Sequence, residues 1–141
     1  MDPDEIATLL AGYPGTRLIE ANGDVFAIHD PDDDYDQRPR QGWATVVNSD
    51  VNDAASDLDR PGVFRLNIGL PKPRFAELFP VAAEHDTTAL DTLFPHPVYG
   101  AYHWVSVINP DQTWPQVQAL LDEAHAFAVR KHDNAARRRR A

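Results

Sequence analysis

Residues 62–69 place the strongest constraint on the fold, because apolar and polar side chains alternate there. The apolar members are Phe64, Leu66 and Ile68, and the polar members are Arg65 and Asn67. Successive side chains of a β-strand point to opposite faces of its sheet. The alternation therefore predicts a strand with one face in a core, while the other face presents Arg65 and Asn67 to a pocket or to water. At the sheet surface, Arg65 could also pair with Asp57 or Asp59.

Local signals predict the remaining helices and strands. Asp2 and Glu5 are spaced as the capping box of an N-terminal helix, and Asn22-Gly23 accepts the positive φ of a tight hairpin between strands 16–20 and 24–29. Two further strands are predicted at 43–48 and 103–108. Short helices are predicted at 71–79 and 87–93, and a capping box at Thr113 predicts a long helix that runs to about Lys131.

These elements predict an α+β fold, with a mainly antiparallel sheet of about five strands. The N-terminal helix and the long C-terminal helix are expected to pack on one face of that sheet. The other face is expected to be either solvated or roofed by loops 30–42 and 80–102, and a roof would create a pocket. Residues 1–133 are predicted to form a single domain, followed by a disordered basic tail at 134–141.

Two segments carry a resemblance to a known family. They are DLDRPGVFRLNIG at residues 57–69 and HPVYGAYHWVSVINP at residues 96–110. On these segments the chain resembles an uncharacterised bacterial single-domain family, which implies a fold but no activity. The order of elements, ending in a Trp-bearing strand, an Asn-Pro-Asp turn and a long helix, is also similar to the MmcQ/YjbR-like fold. That second resemblance implies a DNA-binding role as one alternative.

The charge balance argues against nucleic acid as a partner. The chain has 22 acidic and 13 basic residues, giving a formal net charge of −9 that includes four arginines at 137–140. The rest of the chain thus carries −13, and such a surface repels phosphate backbones. There is no cysteine, no signal-like leader and no apolar run long enough to span a bilayer. We therefore expect a soluble, cytoplasmic protein without a membrane partner.

The chain lacks the spacing of known metal sites. A calcium loop that began at Asp30 would need glycine at its sixth position and glutamate at its twelfth, where the chain has Tyr35 and Gln41. His85, His96 and His103 could converge on a metal, but their spacing matches no metal signature. Phosphate loops, dinucleotide fingerprints and nucleophile elbows are missing as well. No metal and no cofactor are therefore expected.

Three functional hypotheses follow from these observations. The first is a binding or accessory module that encloses a small anionic or aromatic molecule. Its candidate site residues are Arg65, Asn67, His96, Tyr99, His103 and Trp43. The second is a cofactor-independent or metal-assisted enzyme, with His96 or His103 as general base, Tyr99 as acid and Arg65 holding a carboxylate. The third is DNA binding by analogy of fold, which the acidic charge disfavours.

Overall fold

The computed structural model describes residues 1–51 and 53–141 and has an α+β fold. Within these residues, three helices, a short 3-10 turn at Gly100–Tyr102 and six strands follow one another. In chain order they are α1 (Pro3–Ala11), β1 (Thr16–Ala21), β2 (Asp24–His29), β3 (Ala44–Val47), β4 (Arg65–Gly69), α2 (Lys72–Leu78), β5 (Leu93–Pro95), β6 (Trp104–Ile108) and α3 (Trp114–Arg140). The strands form one sheet in the order β1-β2-β3-β4-β6-β5, and all neighbouring pairs are antiparallel. The predicted fold class is confirmed, with six strands in place of about five.

The local signals at the start of the chain are confirmed. Asp2 accepts a hydrogen bond from the backbone N–H of Glu5, and the Glu5 carboxylate accepts one from the N–H of Asp2. Asn22 and Gly23 have φ values of 54° and 83°, as the tight turn between β1 and β2 requires. Short-range hydrogen bonding and turn chemistry are sufficient to determine both features.

The helix predicted over 87–93 is wrong, because this segment forms a turn followed by the edge strand β5. Leu90 is 51% exposed, so the segment does not bury the apolar side that a short amphipathic helix would. Asp91 adopts a left-handed φ of 51°, which interrupts any helix at that residue. Pro95 and Pro97 then favour the extended chain that pairs with β6. The sixth strand therefore arises where helical spacing of apolar residues suggested a helix.

Asp91 also replaces the predicted capping box at the start of α3. Its carboxylate accepts hydrogen bonds from the backbone N–H groups of Asp111, Gln112 and Thr113 at 2.8–3.1 Å, and from the Thr113 hydroxyl at 2.6 Å. These donors hold the pKa of Asp91 well below its usual range, and the Thr113 hydroxyl contributes most. Thr113 itself makes no side-chain cap. The cap of the long helix thus comes from a residue about twenty positions earlier in the sequence.

The main core lies between one face of the sheet and helices α1 and α3. Ile6 and Leu10 of α1 and Val117, Leu120, Leu121 and Ala124 of α3 pack on the alternate strand residues of that face, which include Leu66, Ile68, Val105 and Val107. The alternation of β4 is therefore confirmed. Helix α3 continues through most of the residues expected to form a tail, as far as Arg140. Within the part of the chain that the structure describes, no helix is both long and apolar enough to cross a membrane.

The opposite face of the sheet is partly roofed. Leu58, Phe94, Val47 and Ile108 form a second, smaller apolar cluster on this face. The roof therefore comes in part from the 48–63 connection, whereas the sequence suggested loops 30–42 and 80–102. From the expected loops, Phe94, His96 and Tyr99 join the roof, and Thr87 and Thr88 are hydrogen-bonded to the 48–63 connection. Gln41 and Gly42 lie at its rim. Next to this second cluster the roof leaves an open cleft.

Candidate functional site

A row of polar side chains crosses the roofed face of the sheet at its centre. Thr45 of β3 is paired with Asn67 of β4, and Asn67 is paired with Ser106 of β6. The Asn67 Oδ1 atom accepts hydrogen bonds from Ser106 Oγ at 2.8 Å and from Arg65 Nε at 3.0 Å. Because Oδ1 is occupied by these two donors, Asn67 has its amide N–H groups left for other partners. The hydrogen bonds from Ser106 and Arg65 thereby fix the orientation of the Asn67 side-chain amide.

Arg65 is fully buried and forms an ion pair within the roof. Its guanidinium donates to both oxygens of Asp53, at 2.9 and 2.6 Å, and to Ser56 Oγ at 3.0 Å. The hydrogen bonds from Arg65 are the main reason that the pKa of Asp53 is lowered. The suggested pairing with Asp57 or Asp59 is wrong, since Asp53 takes that role. This bidentate pair fastens the 48–63 connection to β4.

His96 is held in one tautomer by the backbone beside it. Its Nδ1 atom accepts hydrogen bonds from the backbone N–H groups of Val98 and Tyr99, both at 3.0 Å. An atom that accepts two N–H groups carries no proton, so the proton of the neutral ring is on Nε2. Burial lowers the pKa of His96 to about 4, and the nearby Arg65 charge adds to this effect. The ring is therefore neutral at pH 7, with an Nε2–H that no described residue accepts.

These residues border a cleft of about 430 Å³ on the roofed face. Phe26, His96, Tyr99 and Trp104 supply its aromatic walls, and the polar residues that line it include Thr45, Asp53, Arg65 and Asn67. Trp104 lies directly on Gly69, where a Cβ atom would be only 2.8 Å from its ring. A glycine is therefore required at that position for the indole to reach the cleft.

The cleft contains four of the six residues that the sequence suggested for a site: Arg65, Asn67, His96 and Tyr99. Trp43 lies in the main core on the helix side, where its ring is 5.0 Å from Tyr13 and 5.3 Å from His125. His103 follows the 3-10 turn with a φ of 71°, and its ring lies 5.7 Å from Phe75. Neither Trp43 nor His103 lines the cleft.

Several residues of the cleft were not suggested by the sequence reasoning. Trp104 has the same parity as Ser106 on β6, so the alternation of that strand could have placed it on the polar face. Phe26 and Thr45 could have been found in the same way from β2 and β3. Asp53 gives no comparable signal, because it lies in an irregular connection rich in aspartate.

The cleft combines flat aromatic surfaces with directed hydrogen-bonding groups. The charge of Arg65 is compensated by Asp53, and His96 is neutral, so neither presents an unpaired positive charge. The described residues contain no group of three or more potential metal ligands placed to hold an ion. Such an arrangement suits a planar molecule with polar edges.

No curated protein and no solved structure matches the chain significantly. A model of a family of unknown function, DUF6194, matches residues 1–139. The expected kinship with an uncharacterised domain family is thereby confirmed. Because the match covers nearly the whole chain, the protein belongs to the DUF6194 family.

Proposed function

We propose that this protein is a binding module for a small, planar, polar molecule, held in the cleft on the roofed face of the sheet. The observation that carries this proposal is the fixed tautomer of His96, which gives a buried ring a single hydrogen-bond donor without a protein partner among the described residues. Because Nε2 is not among the buried polar atoms that lack a partner in the described chain, this N–H faces the cleft, where an acceptor can reach it. A ligand that accepts from Nε2 and stacks on Trp104 or Tyr99 would provide one.

The ionic state of Arg65 favours an aromatic ligand over a small anion. The guanidinium already donates to Asp53, Ser56 and Asn67, so binding an anion there would require breaking a bidentate pair. Two acidic residues, Asp24 and Asp53, also line the cleft. A neutral heteroaromatic or aromatic amide therefore fits the charges of the cleft better than a carboxylate does.

The enzymatic alternative has less support. A general base needs an accessible lone pair, but the Nδ1 lone pair of His96 is occupied by two backbone donors and its Nε2 atom carries a proton. His103, the other candidate base, packs against Phe75 outside the cleft. Binding without proton transfer is the function that this geometry favours.

The MmcQ/YjbR-like fold and its associated DNA binding remain a weaker proposal. The element order agrees with that resemblance, but the formal charge of −9 opposes contact with a phosphate backbone. Location in the cytoplasm likewise remains a prediction.

Titration with a matched pair of probes tests the binding proposal. Benzamide and benzoate have nearly the same shape and differ in charge, and chemical shifts of backbone and indole N–H groups would report where each binds. We expect benzamide to shift the signals of Trp104 and His96 in a saturable way and to bind more tightly than benzoate. Tighter binding of benzoate would instead favour the anionic ligand.

The variant His96→Asn makes this test specific. An asparagine side chain can accept from backbone N–H groups two or three residues later, so it keeps the turn but removes the Nε2–H donor. We expect benzamide affinity to fall about tenfold, as the loss of one good hydrogen bond implies. His85→Asn is the matched control, because His85 is exposed and packs beside Phe79, away from the cleft. Equal affinity in both variants would refute the role of His96.

A further inference from the structure

A second cavity of about 320 Å³ lies on the helix side of the molecule. It is bounded by residues 38–43 and by the C-terminal half of α3. Its wall and the wall of the proposed ligand cleft share only Gln41 and Gly42 among the described residues. The second cavity is therefore a separate space, and its chemistry can be considered independently.

The wall of this cavity is basic, although the protein as a whole is acidic. Four of its side chains are cationic at neutral pH: Arg38, Arg40, Lys131 and Arg139. None of the described residues in the wall is an aspartate or a glutamate, in a chain with 22 acidic residues. A random patch of this surface would contain more acidic than basic residues. The composition of the wall thus points to an anion.

Two of the four cations already have carboxylate partners, and two do not. Arg40 pairs with Asp30 and Asp34, and the Arg38 guanidinium lies 3.8 Å from Asp34. No carboxylate of the described chain lies within ion-pair distance of Lys131 or Arg139. The Lys131 ammonium packs over the Phe127 ring at 4.4 Å from its centroid. Lys131 and Arg139 are therefore the cations available to a ligand.

Helical spacing brings these two cations to one side of α3. Residues 131, 135 and 139 are four apart and thus lie on the same face of the helix. The middle position is Ala135, and Ala128 lies one turn before His132, so small side chains leave space between the cations. Buried Trp43 forms part of the wall, and its Nε1–H has no acceptor among the described residues.

We infer that this cavity is a binding site for a phosphate group, either free or carried by a small organic molecule. A phosphate carries close to two negative charges and several acceptor oxygens, which match the two cations of the wall that have no carboxylate partner. Lysine and arginine are the side chains that proteins use most often for such groups. This site does not depend on the function proposed for the other cleft.

Calorimetric titration with inorganic phosphate and with pyrophosphate, at low ionic strength, tests the inference. The pocket variant is Lys131→Gln combined with Arg139→Gln, and the control is Arg130→Gln combined with Arg138→Gln. Both double variants remove two positive charges from exposed positions on α3, but Arg130 and Arg138 do not line the cavity. Thermal melts would establish that both double variants remain folded.

We expect saturable binding of at least one of the two anions, weakened about tenfold or more in the pocket variant and less than about twofold in the control. Equal weakening in the two variants would mean that the charge of the whole helix, and not this cavity, attracts the anion. Absence of saturable binding of both anions to the unaltered protein would also overturn the inference.

Discussion

The ion pair between Arg65 and Asp53 gives the sharpest test of how the roof is held on the sheet. The Arg65 side chain is 0% exposed and that of Asp53 is 19% exposed, so the two residues differ in what their removal leaves behind. Arg65→Met keeps an apolar stem of similar length but leaves a carboxylate that water can partly reach. Asp53→Ala leaves the guanidinium, which is fully buried in the intact protein, without its carboxylate partner. Loss of one partner of a buried pair costs about 3–5 kcal/mol.

We therefore expect Asp53→Ala to lower the free energy of unfolding by about 5 kcal/mol and Arg65→Met by about 3 kcal/mol. The double variant should cost less than the sum of the two, because the second change removes a charge that the first left unpaired. Urea denaturation followed by far-UV circular dichroism gives these values, and Arg138→Met on the exposed face of α3 is the control. Should Asp53→Ala prove too unstable to measure, Asp53→Asn retains an acceptor for Arg65 and provides a milder comparison.

Two results would refute this reasoning. A cost below about 1 kcal/mol for both single variants is typical of an exposed salt bridge and would mean that the pair is not buried. A larger decrease in the free energy of unfolding for Arg65→Met than for Asp53→Ala would mean that packing of the arginine stem, and not the charge left without a partner, determines the cost.

Three further predictions follow from other contacts. The pKa of His96 is about 4 in the folded protein and 6.5 in an ordinary histidine side chain, so as the pH falls the unfolded chain takes up this proton first. The free energy of unfolding should therefore decrease by about 3 kcal/mol from pH 6.5 to pH 4. Urea titrations of His96→Asn at several pH values should show a weaker dependence of this free energy on pH. Gly69→Ala should displace the Trp104 ring and cost about 1–3 kcal/mol, seen as a change in tryptophan fluorescence and in urea midpoint. Asp91→Ala should lower the melting temperature and speed amide exchange in the first turn of α3. The control is Asp86→Ala, whose carboxylate hydrogen-bonds to Thr88 in its own turn and which should leave amide exchange in the first turn of α3 unchanged.

Much of the fold was predictable because its determinants are local. The hairpin at Asn22-Gly23, the capping box at Asp2 and the alternation of β4 each depend on residues a few positions apart. Strand β5 was missed because a short apolar segment is compatible with helical spacing as well as with a strand. Only the positive φ of Asp91 and its hydrogen bonds to residues 111–113 distinguish the two, and these bonds form across the fold.

The candidate site was predictable only where strand parity determines it. Arg65 and Asn67 lie on the face opposite to the core, as alternation requires, yet parity cannot say whether such a face is open or covered. The structure of the roof depends on which aspartate of the 48–63 connection pairs with Arg65. The sequence does not distinguish the candidates, because they are chemically alike: Asp50, Asp53, Asp57 and Asp59. Asp50 accepts from the backbone of Leu58, and Asp59 accepts from that of Asp50. Those bonds shape the connection so that Asp53 reaches the guanidinium.

The same ion pair therefore links stability to the proposed function. By compensating Asp53, Arg65 holds the roof over β4, and by donating to Asn67 Oδ1 it leaves the amide N–H groups of that residue for the cleft. Its positive charge also helps to keep His96 neutral, which fixes the Nε2–H as a donor. Its position on the strand suggested that Arg65 binds a ligand. In the structure, Arg65 instead orients Asn67 and His96, the groups that would bind one. A substitution at Arg65 that preserves folding should accordingly weaken benzamide binding and raise the pKa of His96, both of which are measurable in one set of NMR titrations.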